Sequence, residues 1–409
     1  MTAALHRLAN GITVAVDPLP GVESIALGLY ARVGSRSEPE PLSGLAHLIE
    51  HMVFKGAGGR DTRALAEVIE DVGGSLNAWT ARDQTAFHGR ALARDLPLVG
   101  ELIADLVRAP HFDDAHLERE KLVILSEIGE SIDSPEDLVH DHLFEAAFDG
   151  QAIGRSVLGR EASVRAATRD DCIAWIEQQF VPSRLILAAS GKVDAEEVLG
   201  LAERLFGDMA AKPEPAIEPA RFTRGLRNDQ RVFEQAHWCL GLPGLRSADP
   251  RMPALSIFVQ ALGGGTSSRL FQELREERGM AYSIYAWAHS FADTGMVGIG
   301  CAADRARAAE SISLAREVLA QTAETLTERE VQRARAQIEA GLLMGQEAPQ
   351  GRADHLARSV EIFGRIVPID ELIAELRAVD VAAARSAGAA LLEGPVAVAS
   401  VGARLALAA

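Results

Sequence analysis

The sequence predicts an α+β fold made of two homologous domains, each with a mixed or antiparallel sheet faced by helices. The chain has 409 residues, enough for two domains with separate cores. Strand and helix patterns occur in runs rather than in strict alternation. Residues 210–220, AAKPEPAIEPA, carry three prolines and are typical of a linker. We therefore expect a first domain over 1–209, a linker over 210–226 and a second domain over 227–409.

A repeated motif supports the duplication. The segment LAEVIEDVGGSLNAWTARDQTAF from Leu65 aligns with LREERGMAYSIYAWAHSFADTGM from Leu274. Both contain a helix pattern, a glycine and then S-x-x-A-W, which begins at Ser75 and at Ser283. Shared core packing at a helix-to-strand joint would produce this similarity as well as shared function would. We interpret the halves as two copies of one α+β unit.

Hydrophobic periodicity and turn residues predict the elements in chain order. In the first half we expect strands over 12–16 and 24–33, a helix within 44–56, a helix over 62–72, a strand from 75 to about 90, helices from 96 to about 148, a strand over 185–191 and a helix over 196–206. In the second half we expect a strand over 232–242, a helix over 252–261, a glycine loop, a helix over 271–278, a strand from 282, a largely helical later chain and a strand over 396–401.

Composition excludes several classes of protein. The net charge is −17 without a basic patch, which argues against a nucleic-acid partner. The three cysteines, Cys172, Cys239 and Cys301, form no CxxC pair and read as reduced core residues. The first residues lack the pattern of a signal peptide, and no apolar run is long enough to span a membrane. A cytoplasmic location without membrane attachment is the expectation.

The segment GLAHLIEHMVFKG, over 44–56, predicts a two-sided helix. At about 100° per residue its polar residues His47, Glu50 and His51 fall together on one side. The apolar residues recur at i, i+3, i+4, i+7 and i+8, namely Leu45, Leu48, Ile49, Met52 and Val53. The polar side faces either solvent or a metal ion.

The spacing of the polar residues favours the metal. Histidines at i and i+4 stand one above the other and can converge on one Zn²⁺. Glu50, on the same arc, can act as a general base toward water. The H-x-x-E-H order is a zinc-peptidase signature. A solvated face would more often carry Lys, Arg and Gln, so we favour a metal site. A His₂Glu set would also accept Mn²⁺ or Co²⁺.

The third ligand is expected in HLEREKLVILSEIGE, which begins at His116. Glu127 lies in an apolar stretch, where a carboxylate needs a partner such as Zn²⁺. Glu120 precedes it by seven residues, about two helical turns, and lies nearly on the same line. Either glutamate could instead pair with an arginine. The pattern favours Glu127 and leaves Glu120 open.

These motifs resemble the pitrilysin-type (inverzincin, M16) zinc metallopeptidases, in particular their bacterial branch similar to mitochondrial processing peptidase. The resemblance covers essentially the whole chain, through LANGITVAV, GSRSEPEPLSGLAHLIEHMVFKG, GGSLNAWTARDQTAF, EREKLVILSEI and LGGGTSSRLFQELREERGMAYSI. It implies one Zn²⁺ per chain bound by His47, His51 and Glu127, with Glu50 as base. It also implies that Glu120 is an acid that assists the ligands from behind.

The resemblance implies substrate contacts as well. Asn77 and Ala78 lie on the edge strand where such enzymes bind an extended peptide. Arg275 and Tyr282 match a pair that donates hydrogen bonds to the substrate and to the oxyanion. Gly263–Gly265 match a glycine-rich loop that contacts substrate, although a glycine turn without function fits equally well.

The resulting expectation is a zinc endopeptidase that cleaves short or unfolded peptides inside a dimeric chamber. Members of this family enclose substrate between four such domains, and one chain here supplies two. A homodimer is therefore expected, in which each site uses Arg275 and Tyr282 of the other copy. The alternatives are a heterodimer with a homologous subunit and a non-catalytic subunit of a processing-peptidase-like complex.

Overall fold

The computed structural model describes residues 3–406. The elements before the proline-rich segment are, in order, β1 (Ala4–Arg7), β2 (Thr13–Pro18), β3 (Ser24–Ala31), α1 (Leu45–Val53), β4 (Gly56–Ala57), β5 (Arg60–Asp61), α2 (Thr62–Glu70), β6 (Ser75–Thr80), β7 (Thr85–Leu92), α3 (Leu96–Arg108), α4 (Asp114–Asp133), α5 (Pro135–Ala147), α6 (Glu161–Ala166), α7 (Arg169–Gln179), β8 (Leu185–Gly191) and α8 (Ala195–Phe206). Residues 210–224 contain no helix or strand.

The later elements repeat much of this plan. They are β9 (Gly225–Asp229), β10 (Ala236–Pro243), α9 (Met252–Gly263), β11 (Ala281–Ser290), β12 (Gly295–Ala303), α10 (Ala308–Thr325), α11 (Glu328–Gly345), α12 (Pro349–Phe363), α13 (Ile369–Ala378), α14 (Val381–Leu392) and β13 (Ala397–Val401). Between α9 and β11 lies a π-helical segment, Phe271–Glu277. No helix within residues 3–406 is both long and apolar enough to cross a bilayer.

The two main sheets have the same strand order. The first runs β1-β2-β8-β3-β7-β6 and the second β11-β12-β10-β13-β9. Leave out β1 and read the second sheet from β9. Each sheet then places its five strands in the order first, last, second, fourth and third along the chain. In each sheet the first and last strands pair in parallel, β2 with β8 and β9 with β13, whereas the other pairs are antiparallel. The predicted α+β duplication is confirmed.

Some strand predictions were wrong. The single strand expected from Ser75 to about Arg90 is a hairpin of β6 and β7, closed by a hydrogen bond from the Ala81 amide to the Gln84 carbonyl (2.7 Å). Its turn, Ala-Arg-Asp-Gln, carries a single aspartate and no glycine, proline or asparagine, which makes a weak turn signal. Strands β1, β9 and β12 were not predicted. β12 is buried along its whole length, so it shows no polar alternation.

The chain forms two compact units that are not continuous in sequence. The first contains the chain up to Ile128 with Ser156–Glu218 and Met344–Val367; the second contains Gly129–Arg155, Pro219–Leu343 and the chain from Pro368 onward. The predicted division at 1–209 and 227–409 contains no such exchange. In the structure α5 belongs to the unit of the second sheet and α12 to that of the first.

The exchanged helices cover one face of each sheet. In the first unit α12 packs on β8, β3 and β2, where Leu356 is buried against Tyr30 and Ile186. The opposite face packs against α1, α3 and α8. In the second unit α5 packs on β13, β10 and β9. A helical pattern shows that one face is buried but not which sheet buries it, so this exchange could not be predicted. Within the described residues the three cysteines are buried and unpaired, as expected.

Candidate metal centre

The start of helix α1 is held by a buried glutamate. Glu38 is 3% exposed, and its two carboxylate oxygens accept hydrogen bonds from the amides of Gly44 and Ala46, both 2.7 Å long. Gly44 has φ +92°, and a Cβ there would meet the Leu158 carbonyl oxygen at 2.6 Å. The free amides at a helix N-terminus stabilise a negative charge nearby. We did not predict Glu38, because it precedes the helix by seven residues and belongs to no local capping pattern.

Helix α1 has the two sides that its sequence predicts. Its apolar residues are buried in the core of the first unit. The side chains of His47 and His51 are only 13% and 19% exposed, so the solvated-face alternative is wrong. Their rings lie edge to face with centroids 4.7 Å apart. The polar side is enclosed by protein.

Glu127 of α4 meets both histidines. Its Oε2 lies 3.8 Å from His47 Nε2 and 3.6 Å from His51 Nε2. Ligand atoms of the three residues all lie within 4.8 Å of one another. Donor atoms around a tetrahedral Zn²⁺, bound at about 2.0–2.1 Å, stand about 3.4 Å apart. The donor set and its spacing therefore fit a zinc ion with small side-chain adjustments.

The protonation states suit this use. Burial, with a further contribution from the nearby His51, lowers the pKa of His47 to about 4. The imidazole is therefore neutral near pH 7 and can offer a lone pair to a metal. Burial also raises the pKa of Glu50. Glu50 Oε2 is buried and has no hydrogen-bond partner within the described residues. An oxygen without a partner is free to accept a proton.

Glu120 lies behind His51 rather than among the ligand atoms. Its Oε2 is 3.2 Å from His51 Nδ1, and its Oε1 is 2.9 Å from Lys55 Nζ. The sequence left open whether Glu120 was a ligand or the partner of an arginine. The structure shows that it pairs with a lysine and a histidine. When Nδ1 carries the proton and donates it to Glu120, Nε2 stays free to face Glu127.

The strand with Asn77 and Ala78 is at the edge of the first sheet. Hydrogen-bonded pairs alternate in an antiparallel ladder, and the pair of Ala81 with Gln84 is hydrogen-bonded. Ala78 lies three residues before Ala81, so its pair with Phe87 is not hydrogen-bonded and the Ala78 amide points away from β7. Its N–H donates to the Asn77 side-chain Oδ1 at 2.9 Å. The backbone of β6 is therefore placed so that another strand can add to it.

Arg275 and Tyr282 lie together in the second unit. The Arg275 guanidinium carbon is 4.8 Å from the Phe271 ring centre and 6.0 Å from the Tyr282 ring centre. Tyr282 is 71% exposed. Arg275 is on the π-helical segment, a conformation often found at functional sites. In the described structure Gly263 closes α9 and packs against Ala286 of β11.

A metallopeptidase-type centre, with two histidines and a glutamate next to a buried carboxylate, is thus assembled on one half of a duplicated α+β fold. Two family models match the chain. Residues 13–161 match "Insulinase (Peptidase family M16)", and residues 166–338 match "Peptidase M16 inactive domain". The chain belongs to the M16 peptidase family.

Relatives over nearly the full length carry zinc-protease names. An uncharacterized zinc protease of Streptomyces coelicolor is 34% identical over 92% of this chain and 84% of its own length. One of Mycobacterium leprae is 36% identical over 91% of this chain and 86% of its own length. The uncharacterized zinc protease YmxG of Bacillus subtilis is 29% identical over 92% of both chains.

Solved structures share the fold. The peptidase M16 inactive domain from Pseudomonas fluorescens superposes with a TM-score of 0.90 at 20% identity, covering 100% of this chain and 99% of that one. A protease from Helicobacter pylori superposes with a TM-score of 0.89 at 18% identity, covering 98% and 99%. At these identities the likeness concerns the fold.

Proposed function

We propose that this protein is a zinc-dependent endopeptidase of the H-x-x-E-H type that cleaves short or unfolded peptides. The observation that carries the proposal is the placement of Glu127 Oε2 at 3.6 and 3.8 Å from the two histidine Nε2 atoms. His47, His51 and Glu127 would hold one Zn²⁺ per chain. When bound, the ion would supply Lewis-acid chemistry toward water and the scissile carbonyl.

Glu50 performs the proton transfers. Its buried, unpartnered Oε2 takes a proton from the attacking water and returns it to the nitrogen of the leaving amine. The raised pKa that burial causes makes this carboxylate a stronger base than an exposed one. Glu120 contributes by holding the His51 ring through Nδ1.

The edge strand β6 orients the substrate. An extended peptide adds beside β6 and bonds to the outward amide and carbonyl of Ala78, displacing the Asn77 side chain from the amide. Such backbone recognition favours unfolded peptides over folded proteins, because only an exposed extended segment can pair in this way. Arg275 and Tyr282 donate to the substrate and to the oxyanion.

The test is the cleavage of a mixed set of unstructured peptides by the wild type and Glu50→Gln, with bound metal quantified on both. We expect cleavage by the wild type alone and about one zinc on each chain, since Glu50 is not a ligand in this proposal. The exposed Glu70→Gln is the matched control and should cleave normally. A wild type without bound metal would overturn the proposal.

We propose further that the active form is a homodimer in which each metal centre uses Arg275 and Tyr282 of the other copy. Both sets of residues are present in this chain, although they belong to different compact units. Mixing inactive Glu50→Gln with inactive Arg275→Ala should then restore part of the activity. Failure to restore it would contradict shared sites.

A non-catalytic subunit is the second candidate. It is favoured by the description of the second-half family model as an inactive domain. In that case the wild type would hold zinc without cleaving any peptide of the set. The intact cluster of His47, Glu50, His51 and Glu127 speaks against it.

A further inference from the structure

Lys55 and Glu120 form a contact that the proposed chemistry does not use. Glu120 is buried, with 10% of its side chain exposed, and a carboxylate in such a place needs a cation or several hydrogen-bond donors. Lys55 Nζ supplies the cation at 2.9 Å from Oε1. The other oxygen faces His51 Nδ1 at 3.2 Å. One carboxylate therefore connects the lysine to the histidine.

The backbone places these groups in two matching rows. His47, His51 and Lys55 are spaced by four residues along α1 and its C-terminal end, and the Lys55 amide still bonds to the Met52 carbonyl at 3.0 Å. Glu120 and Glu127 are seven residues apart on α4. Glu127 meets the first two members of the α1 row, and Glu120 meets the last two. His51 is held from both sides.

We propose that Lys55 is a positioning residue of the metal centre. By binding Oε1 of Glu120, it keeps Oε2 against His51 Nδ1, and this contact keeps the Nε2 of His51 directed at Glu127. Without Lys55 the Glu120 side chain can rotate, and His51 loses the partner that fixes its ring and its tautomer. This inference rests on the proposed metal site.

The alternative is that the ion pair only fastens the end of α1 to α4. A fastening role would change the stability of the fold but not the affinity of the folded chain for zinc. Zinc affinity measured on folded protein therefore separates the two roles, and it does not depend on peptidase activity.

The experiment measures zinc affinity by competition with a chromophoric chelator for the wild type, Lys55→Met, Lys55→Arg, Glu120→Gln and the double variant Lys55→Met/Glu120→Gln. We expect Lys55→Met to weaken zinc binding by about 10–100-fold, the usual effect of removing a partner behind a ligand. Lys55→Arg should stay close to the wild type, because its guanidinium can still bind Oε1. The double variant should bind no more weakly than Glu120→Gln alone, because Lys55 acts through Glu120.

The matched control is Lys192→Met. Lys192 also pairs with a glutamate, Glu23, at 2.6 Å, but both side chains are exposed. Lys192→Met removes the same charge as Lys55→Met and should leave the zinc affinity unchanged. Melting temperatures of the metal-free variants identify any that do not fold. If Lys55→Met is one of them, the double variant is measured instead, because it leaves no unpaired buried charge.

Two results would overturn the inference. One is a Lys55→Met chain that binds zinc as tightly as the wild type. The other is a double variant whose loss is the product of the two single losses, since that would show independent action. A wild type that binds no zinc is a different result, because it would contradict the proposed function itself.

Discussion

The two compact units share one strand order but differ in the helix beside the edge strand. In the first unit α1 packs against β6 and carries His47, Glu50 and His51 on its polar side. In the second unit α9 packs against β11 and has no ionisable side chain at all. Leu255 and Phe258 of α9 are fully buried instead. The same position in a duplicated fold carries the candidate metal ligands in one copy and core packing in the other.

The edges differ too. The Ala78 amide of β6 points outward and donates to the side chain of Asn77. In β11 the corresponding side is occupied by the end of α9, because a Cβ on Gly263 would approach the Ala286 amide nitrogen to 2.4 Å. The proposed peptide-binding strand and the proposed metal-binding helix thus occur in the same copy.

The largest expected effect on activity comes from a change in the first unit. His51→Ala deletes one of the three proposed protein ligands. Structural zinc sites contribute about 10–16 kcal/mol over four ligands, so one ligand accounts for about 3 kcal/mol, or roughly a hundredfold in affinity. We expect that loss in a chelator competition, together with no measurable cleavage. The fold should survive, and unchanged zinc binding would remove the basis of the comparison.

The counterpart in the second unit is an effect on stability rather than on activity. Phe258 is fully buried, and a Cβ on Gly388 would come within 2.1 Å of its ring, so the packing there is tight. Phe258→Ala should lower the free energy of unfolding by about 3–5 kcal/mol through the cavity it leaves. Urea unfolding measures this. Zinc affinity of the folded variant should remain that of the wild type, and a parallel loss of zinc would show that α9 also supports the metal centre.

A smaller effect tests the open edge. Ala78→Pro removes the outward N–H, which the β6–β7 ladder does not use. Losing one backbone hydrogen bond to the peptide, worth about 1 kcal/mol, should raise KM about three- to tenfold and leave zinc content unchanged. Ala78→Ser keeps the amide and is the control. An unaltered KM in the proline variant would place the peptide elsewhere.

The smallest effect is a pH dependence in α12, the helix that covers the other face of the first sheet. Burial, with a contribution from Asp83, raises the pKa of Glu361 from 4.5 to about 7, while Gln84 Nε2 donates to its Oε2 at 2.9 Å. A raised folded-state pKa means that the native state holds the proton more tightly. The resulting stability is fully present below pH 4.5 and is lost as the pH rises through about 7.

Glu361→Gln removes this titration and keeps an acceptor for Gln84. We expect the variant to gain stability relative to the wild type between pH 5 and pH 8, by an amount on the order of 1 kcal/mol. Thermal melts at several pH values measure the difference. A constant difference across that range would contradict the raised pKa.

Much of the candidate site could be predicted because it is local. The stripe of Leu45, Leu48, Ile49, Met52 and Val53 and the opposite set of His47, Glu50 and His51 follow from helical periodicity alone. The duplication was visible in the repeated S-x-x-A-W, which the shared strand order confirms. The hairpin at Ala81 was missed because a single aspartate is a weak turn signal, and the buried strand β12 because it shows no polar alternation.

Periodicity and spacing within single segments were therefore enough for the fold class, the two-sided helix α1 and the short list of its possible metal ligands. Tertiary packing decided between Glu120 and Glu127 and brought Lys55 and Glu38 to their partners. It also decided the exchange of α5 and α12. The physical reason is that a helical pattern records which face is buried, whereas the partner of that face lies far away in sequence. Burial and ion pairing join residues by distance in space, and no local pattern carries that distance.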